Sequence, residues 1–416
     1  MGRRARLLVL CIGAAIIAAV AVSAATGARE ATPGITATTV KIGGTFPLTG
    51  VAALYKTIPA AENAYYSYVN DHGGVNGRKI TFEINDDGYD PSKTVPLVQK
   101  MVEQDGVFAV VGSLGTAPGL ATWGYLNSHK VPQVLLATGD SYWGFCARKK
   151  CGGQAYPWTM GWQPDYPGES KLYGQYLAKN FPTGKIGVLY QNDSYGKNYY
   201  AGLRIGLAEK KSDIVSAQTY DPTQTNVSQQ IVALKAAGAN IVVVFALPTQ
   251  TIGALVTITK IGWKPDATII NNVSANPVFL KLSAANGANT DGVISTNYVN
   301  YATTVNANTA GAKLAKSIIS QYAPALDLND SNVVYGLGVA WTFVYALQHS
   351  GKNPTRASFM KALHNLNVAD PFAYPGMKLQ TSAKDNFPYE QLIFQKWNGG
   401  ATGAWAPFGK IYDHLR

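Results

Sequence analysis

Apolar and polar positions along this chain alternate between two periods. Short apolar runs at 40–46, 107–112, 132–136, 186–190, 241–245 and 268–271 read as strands. Lys79–Asn85 alternates in the period of two expected of a strand, and Ile214–Tyr220 reads as a further strand. Between them lie stretches with apolar residues three and four apart. The first carries Ala60, Ala61, Ala64, Tyr65, Tyr68 and Val69 on one face and stops at Gly73-Gly74. The same spacing predicts helices at 92–105, 118–129, 171–180, 197–210, 227–237, 252–261 and 277–283, with a further strand at 293–296. Strand–helix units in series imply parallel sheets covered by helices on both faces. The rhythm runs once to about residue 136 and restarts near residue 171. The expected fold class is therefore α/β, with two doubly wound Rossmann-like lobes. Ligands of such sheets bind at the carboxyl ends of the strands, in the crevice.

The chain has 416 residues, more than one compact core usually holds. Hydrophobic residues make up 47% and charged residues 14%, a mixture that folds rather than stays disordered. The formal net charge is +11. The basic residues are scattered, and the densest cluster is Arg148-Lys149-Lys150. That argues against a nucleic-acid surface, which concentrates its charge.

The N-terminus changes the picture most. Arg3, Arg4 and Arg6 precede an apolar run from Leu7 to Ala25, and small residues follow at Ser23, Ala24, Gly27 and Ala28. This is the layout of a secretory signal peptide, assigned to 1–28, with an uncleaved anchor as the alternative. Cys11 lies inside the apolar run rather than at its end, which argues against lipidation. Of three cysteines, Cys146 and Cys151 remain, five apart in a loop-like stretch. In an oxidising compartment they are expected to form a local disulfide.

No constellation of catalytic residues is visible. His72, His129, His349, His364 and His414 are dispersed, and no metal-ligand spacing occurs. The segment Gly139–Gly144 is one residue too long for a nucleophile elbow. The pair Gly196-Lys197 lacks the rest of a phosphate loop. Asp86, Asp87 and Asp90 lack the spacing of a calcium loop. The expectation is a non-enzyme with no cofactor and no metal.

Six segments occur in order: Lys41-Ile42-Gly43-Gly44-Thr45-Phe46-Pro47-Leu48-Thr49-Gly50, Asn70-Asp71-His72-Gly73-Gly74-Val75-Asn76-Gly77-Arg78, Asp86-Asp87-Gly88-Tyr89-Asp90-Pro91, Val110-Val111-Gly112-Ser113, Gln191-Asn192-Asp193-Ser194-Tyr195-Gly196 and the stretch 230–239. Together they resemble the leucine/isoleucine/valine-binding family of type I periplasmic binding proteins, the substrate-binding components of ABC importers. The resemblance implies two lobes joined by three crossover strands, placed near 158–161, 294–298 and 377–379. It implies an N-terminal lobe of 37–159 plus 297–377 and a C-terminal lobe of 160–296 plus 378–416. It implies an extracytoplasmic, monomeric protein that closes on a small molecule by hinge motion and passes it to a membrane permease. A ligand sensor of the same fold, acting through a separate partner, is the alternative.

The resemblance also implies site residues. Ser113 and Thr116, at a helix start, would hold a ligand carboxylate. Thr138, Asp140 and Ser141, after the next strand, would meet the ligand's polar backbone. Tyr55 and Tyr195 would supply rings from the two lobes, with Tyr335 and Tyr298 as further candidates. Amino-acid-binding relatives place an acid near Asn272 to pair with the ligand ammonium, yet no Asp or Glu lies between Ile269 and Leu280. An amide supplies no countercharge. Either Asp140 compensates or the ligand lacks the amino group, as an aromatic or aliphatic carboxylate would.

Overall fold

The structure is a computed structural model describing residues 32–146, 150–151, 153, 155–382 and 385–413. The proposed signal peptide and most of the basic cluster at 148–150 lie outside the described residues.

The first series of elements is β1 (Thr39–Phe46), α1 (Thr57–Asp71), β2 (Lys79–Asp86), α2 (Pro91–Glu103), β3 (Ala109–Val111), α3 (Thr116–Ser128), β4 (Gln133–Leu136), α4 (Tyr142–Phe145) and β5 (Thr159–Gly161). Its strands form a five-stranded parallel sheet in the order β2-β1-β3-β4-β5. The second series is α5 (Tyr166–Asn180), β6 (Ile186–Gln191), α6 (Ser194–Leu207), β7 (Ile214–Tyr220), α7 (Ser228–Ala236), β8 (Ile241–Phe245), α8 (Pro248–Lys260), β9 (Ala267–Ile270), α9 (Pro277–Ala285) and β10 (Ile294–Asn297). Its strands run parallel in the order β7-β6-β8-β9-β10, so the second lobe repeats the strand order of the first.

From β10 the chain returns to the first lobe as α10 (Ala310–Tyr322), α11 (Ser331–Gln348) and α12 (Arg356–Leu363), with α10 and α11 packed on α1. A two-stranded ribbon of β11 (Asn367–Val368) and β12 (Leu379–Gln380) follows. The chain then crosses back, and the second sheet is extended by β13 (Leu392–Asn398), antiparallel to β10, and β14 (Ala404–Tyr412), antiparallel to β13. The chain thus passes between the sheets three times.

Strand sequences match their places. Central β8, Ile-Val-Val-Val-Phe, is buried at every residue, whereas edge strand β7 alternates half-buried and exposed positions up to the buried Tyr220. Helices begin earlier than periodicity predicts. α5 starts at Tyr166 rather than Lys171, and α8 at Pro248 rather than Ile252. In both a proline sits in the first turn, where its missing N–H costs nothing. α6 starts at Ser194 because the Asp193 carboxylate accepts from the Gly196 N–H at 3.2 Å.

Candidate functional site

A strand order of 2-1-3-4-5 creates a crevice where the order reverses, between its first and third strands. In the first lobe that point lies between β1 and β3, and in the second between β6 and β8. The turns after all four strands converge on one cavity between the lobes. Tyr55 comes from the turn after β1, Leu114, Gly115 and Thr116 follow β3, Tyr195 follows β6 and Leu247 follows β8. The cavity volume is about 60 Å3.

Seven tyrosines line it: Tyr55, Tyr89, Tyr166, Tyr195, Tyr298, Tyr301 and Tyr335. Each is less than 9% exposed. Burial pushes all seven phenols above their ordinary value, so they stay neutral at physiological pH. The rings pack edge-on, Tyr166 against Tyr195 at 5.1 Å and Trp162 against Tyr335 at 4.7 Å, in the geometry aromatic quadrupoles favour. Their hydroxyls fix neighbours. Tyr55 donates to the Val273 carbonyl at 3.0 Å, bridging the lobes. Tyr335 donates to Gln163 Oε1 at 3.1 Å, and Gln163 Nε2 reaches the Tyr166 hydroxyl at 3.4 Å. Tyr195 takes its bond from the Asn271 amide.

The turn before α3 needs glycine twice. Gly112 has φ +68°, and a Cβ there would sit 2.5 Å from Glu62 Oε2. Gly115 has φ +118°, and a Cβ there would sit 2.7 Å from the Tyr89 ring. Tyr89 itself has φ +66°, held there by Asp87, whose carboxylate accepts from the Tyr89 N–H at 2.9 Å. No side chain caps α3, whose first two residues, Thr116 and Ala117, carry N–H groups without a helical acceptor; Pro118 has none, and Thr116 stands in the cavity wall.

Of the residues expected at the site, Tyr55, Thr116, Tyr195, Asn272 and Tyr335 line the cavity, as does Tyr298. Ser113, Thr138, Asp140 and Ser141 do not. The Ser113 hydroxyl accepts from the Thr45 N–H at 3.0 Å and ties the end of β3 to β1. Thr138 sits behind Thr116, their hydroxyls 2.7 Å apart. Asp140 accepts from the Ser194 hydroxyl and from Asn198 Nδ2 at 3.3 Å, and the Ser141 hydroxyl donates to Asn198 Oδ1 at 3.0 Å. These two residues join the lobes instead of facing the cavity.

Sequence reasoning missed Tyr89, Tyr166, Tyr301 and Gln163 in the wall, and Glu169 behind it. Gln163 and Tyr166 lie just after the first crossover, in a polar and aromatic stretch, Gly161-Trp162-Gln163-Pro164-Asp165-Tyr166, which was the available signal. Glu169 is 2% exposed. Its carboxylate accepts from the Asn272 N–H at 2.7 Å and from the hydroxyls of Tyr173 at 2.7 Å and Tyr199 at 2.8 Å. Burial outweighs these donors and pushes it up to about 7 from 4.5.

Cys146 and Cys151 sit as a disulfide pair, their Cα atoms 5.5 Å apart. Among the described residues no cluster of His, Cys, Asp or Glu could hold a metal ion. Among them, too, no helix is long and apolar enough to cross a membrane.

Residues 39–402 match the family model described as periplasmic binding protein. Over 372 residues the chain is 21% identical to Leu/Ile/Val-binding protein homolog 8 of Brucella melitensis, covering 87% of this chain and 89% of that one. It is 26% identical over 208 residues to Leu/Ile/Val-binding protein homolog 2 of Brucella abortus, covering 49% of this chain and 53% of the relative. With this and similar relatives the match spans about half of their length. Among solved structures, a branched-chain amino acid ABC transporter protein of Thermus thermophilus with bound valine aligns over 92% of this chain and 98% of its own. The TM-score is 0.79 and the identity 16%. A fatty acid ABC transporter substrate-binding protein of Thermomonospora curvata aligns over 93% and 95%, with a TM-score of 0.76 and 22% identity. At these identities the two structures show the fold. This family acts outside the cytoplasm and binds ligands without catalysis. A chain with two repeated sheets around one cleft, matched by the family model over most of its length, belongs to the periplasmic binding protein family.

Proposed function

We propose that this protein is the extracytoplasmic solute-binding component of an ABC importer, holding a small carboxylate-bearing ligand between its lobes. The observation that carries the reading is the convergence of both sheet switch points on one cavity, with the uncapped start of α3 in its wall. A helix N-terminus offers free N–H groups and a positive dipole end, both suited to a carboxylate. Thr116 stands at that start, and Tyr55 and Tyr195 close over the cavity from either lobe. Hinges at the three crossovers, with lobes of 37–159 plus 297–377 and 160–296 plus 378–416, let the halves part for entry. The segment 1–28 directs export, and the Cys146–Cys151 pair suits an oxidising compartment. The partner is a membrane permease, and the protein works as a monomer. Two neighbours of the same fold bear on the ligand. One holds valine and the other serves fatty acid transport, which leaves the amino group as the open choice.

The test is uptake. Deleting the protein in its host is expected to abolish saturable uptake of a labelled small carboxylate that the purified protein binds. Normal uptake together with altered gene expression would overturn transport and favour sensing.

A further inference from the structure

Among the described residues, no Asp, Glu, Lys, Arg or His side chain stands in the cavity wall. A ligand ammonium taken from water into such a site loses its hydration and needs a countercharge. Glu62, buried beneath Gly112 with no hydrogen-bond partner among the described residues, is pushed well above its ordinary value by burial and does not reach the wall. Three further acids near the wall are committed elsewhere. Glu169 touches the wall only through the backbone N–H of Asn272. Its oxygens are occupied by the Asn272 N–H and two tyrosine hydroxyls. Asp330 caps α11 through the Asn332 N–H at 2.9 Å and also accepts from the Thr57 hydroxyl at 2.7 Å and the Asn276 amide. Asp140 is taken up by Ser194, Asn198 and the Tyr142 N–H.

The polar groups that do reach the wall are neutral. Most are also spent on the protein: Asn272 Nδ2 donates to the Thr296 carbonyl at 2.6 Å and Asn297 Nδ2 to the Val299 carbonyl at 2.9 Å. What remains is the tyrosine surface, apolar rings with scattered hydroxyls, and the start of α3 at Thr116.

We propose that the ligand carries no ammonium group, and that it is a monocarboxylate whose aliphatic or aromatic body packs against the tyrosines. The inference rests on the solute-binding reading above. It makes the wall at Gln163 a point of discrimination. Gln163 is the wall amide whose two partners, the hydroxyls of Tyr335 and Tyr166, are themselves wall groups and could both donate to a carboxylate. Glutamate fits there without stranding a donor.

The experiment is calorimetric titration of the purified protein with matched pairs: leucine against 4-methylpentanoate, and phenylalanine against 3-phenylpropanoate, with the corresponding primary amides alongside. The deaminated acid of at least one pair is expected to bind about tenfold or more tighter than its amino acid. An amino acid that binds as tightly as its deaminated partner, or more tightly, would overturn the inference. If the amides bind as well as the acids while the amino acids fail, the carboxylate assignment falls and the absence of an ammonium stands. Gln163→Glu is expected to shift the preference within a pair toward the amino acid by about tenfold. A folded Gln163→Glu protein with unchanged preference would overturn the role of wall charge.

Discussion

Asp140, four residues beyond the end of β4, accepts a hydrogen bond from the hydroxyl of Ser194, the first residue of α6 in the opposite lobe. The two are 54 residues apart in sequence. Asn198, one turn further along α6, completes the contact by donating to the same carboxylate and accepting from Ser141. Asp140 is 1% exposed and burial raises its carboxyl above the usual range, so the contact lies inside the lobe junction. It joins the two lobes directly, through protein groups alone.

Asp140→Ala removes this contact and leaves the cavity wall intact. A hydrogen bond to a charged group contributes roughly 1.5–3 kcal/mol. The substitution is expected to shift the protein toward an open form, raising the radius of gyration seen by small-angle scattering. Ligand affinity should fall through faster release. Unchanged scattering and unchanged release would show that the contact does not control closure.

Tyr55→Phe keeps the ring against Phe279, with centroids 6.3 Å apart, and deletes only the hydroxyl that reaches Val273. The expected loss is about 0.5–1.5 kcal/mol of closed-state stability, read as a fewfold weaker Kd with a nearly constant unfolding Tm. A Tm that falls as much as the binding energy would place the tyrosine's role in folding instead.

Glu169 links stability to pH. Its folded-state value, about 7, lies above the ordinary 4.5. The folded protein therefore holds a proton that the unfolded chain has already released. That contribution is fully present below about pH 4.5 and is lost as pH rises through about 7, a change on the order of a few kcal/mol. Asp370, pushed up to about 6 by burial, acts in the same direction. Glu169→Gln mimics the protonated form. Its Tm is expected to fall less between pH 5 and pH 8 than that of the parent protein. Parallel curves for the two would refute the assignment.

Gly115→Ala sets a methyl group against the Tyr89 ring at a backbone angle that L-residues avoid. Strain of this kind costs about 1–3 kcal/mol. A lower Tm and weaker ligand binding are expected together, because the same turn presents the start of α3 to the cavity. Loss of stability alone would separate the turn from the site.

Much of the architecture was legible in the chain itself. Ile241–Phe245 and Ile214–Tyr220 both read as strands and are strands. The restart of the strand–helix rhythm marked a second lobe. Legibility ended at Thr296. Fourteen of the eighteen residues of α11 are buried, so it has no polar face to give a helical period. The antiparallel pair β13–β14 follows no helix rhythm at all.

The site was legible in part, and the division has a physical cause. Sequence fixes what is local: which turn follows which strand, which glycine permits it, and that Tyr55, Thr116 and Tyr195 fall at switch points. It also shows that no acid stands near Asn272. Which side chains share the cavity is set by how two lobes meet, over separations such as the 172 residues between Gln163 and Tyr335. Tertiary packing alone turned Ser113 toward Thr45, spent Asp140 on Ser194, and placed Glu169 beneath Asn272, 103 residues away. Hydrogen-bond partners over such distances leave no periodic mark on a chain, because no local energy selects them until the lobes close.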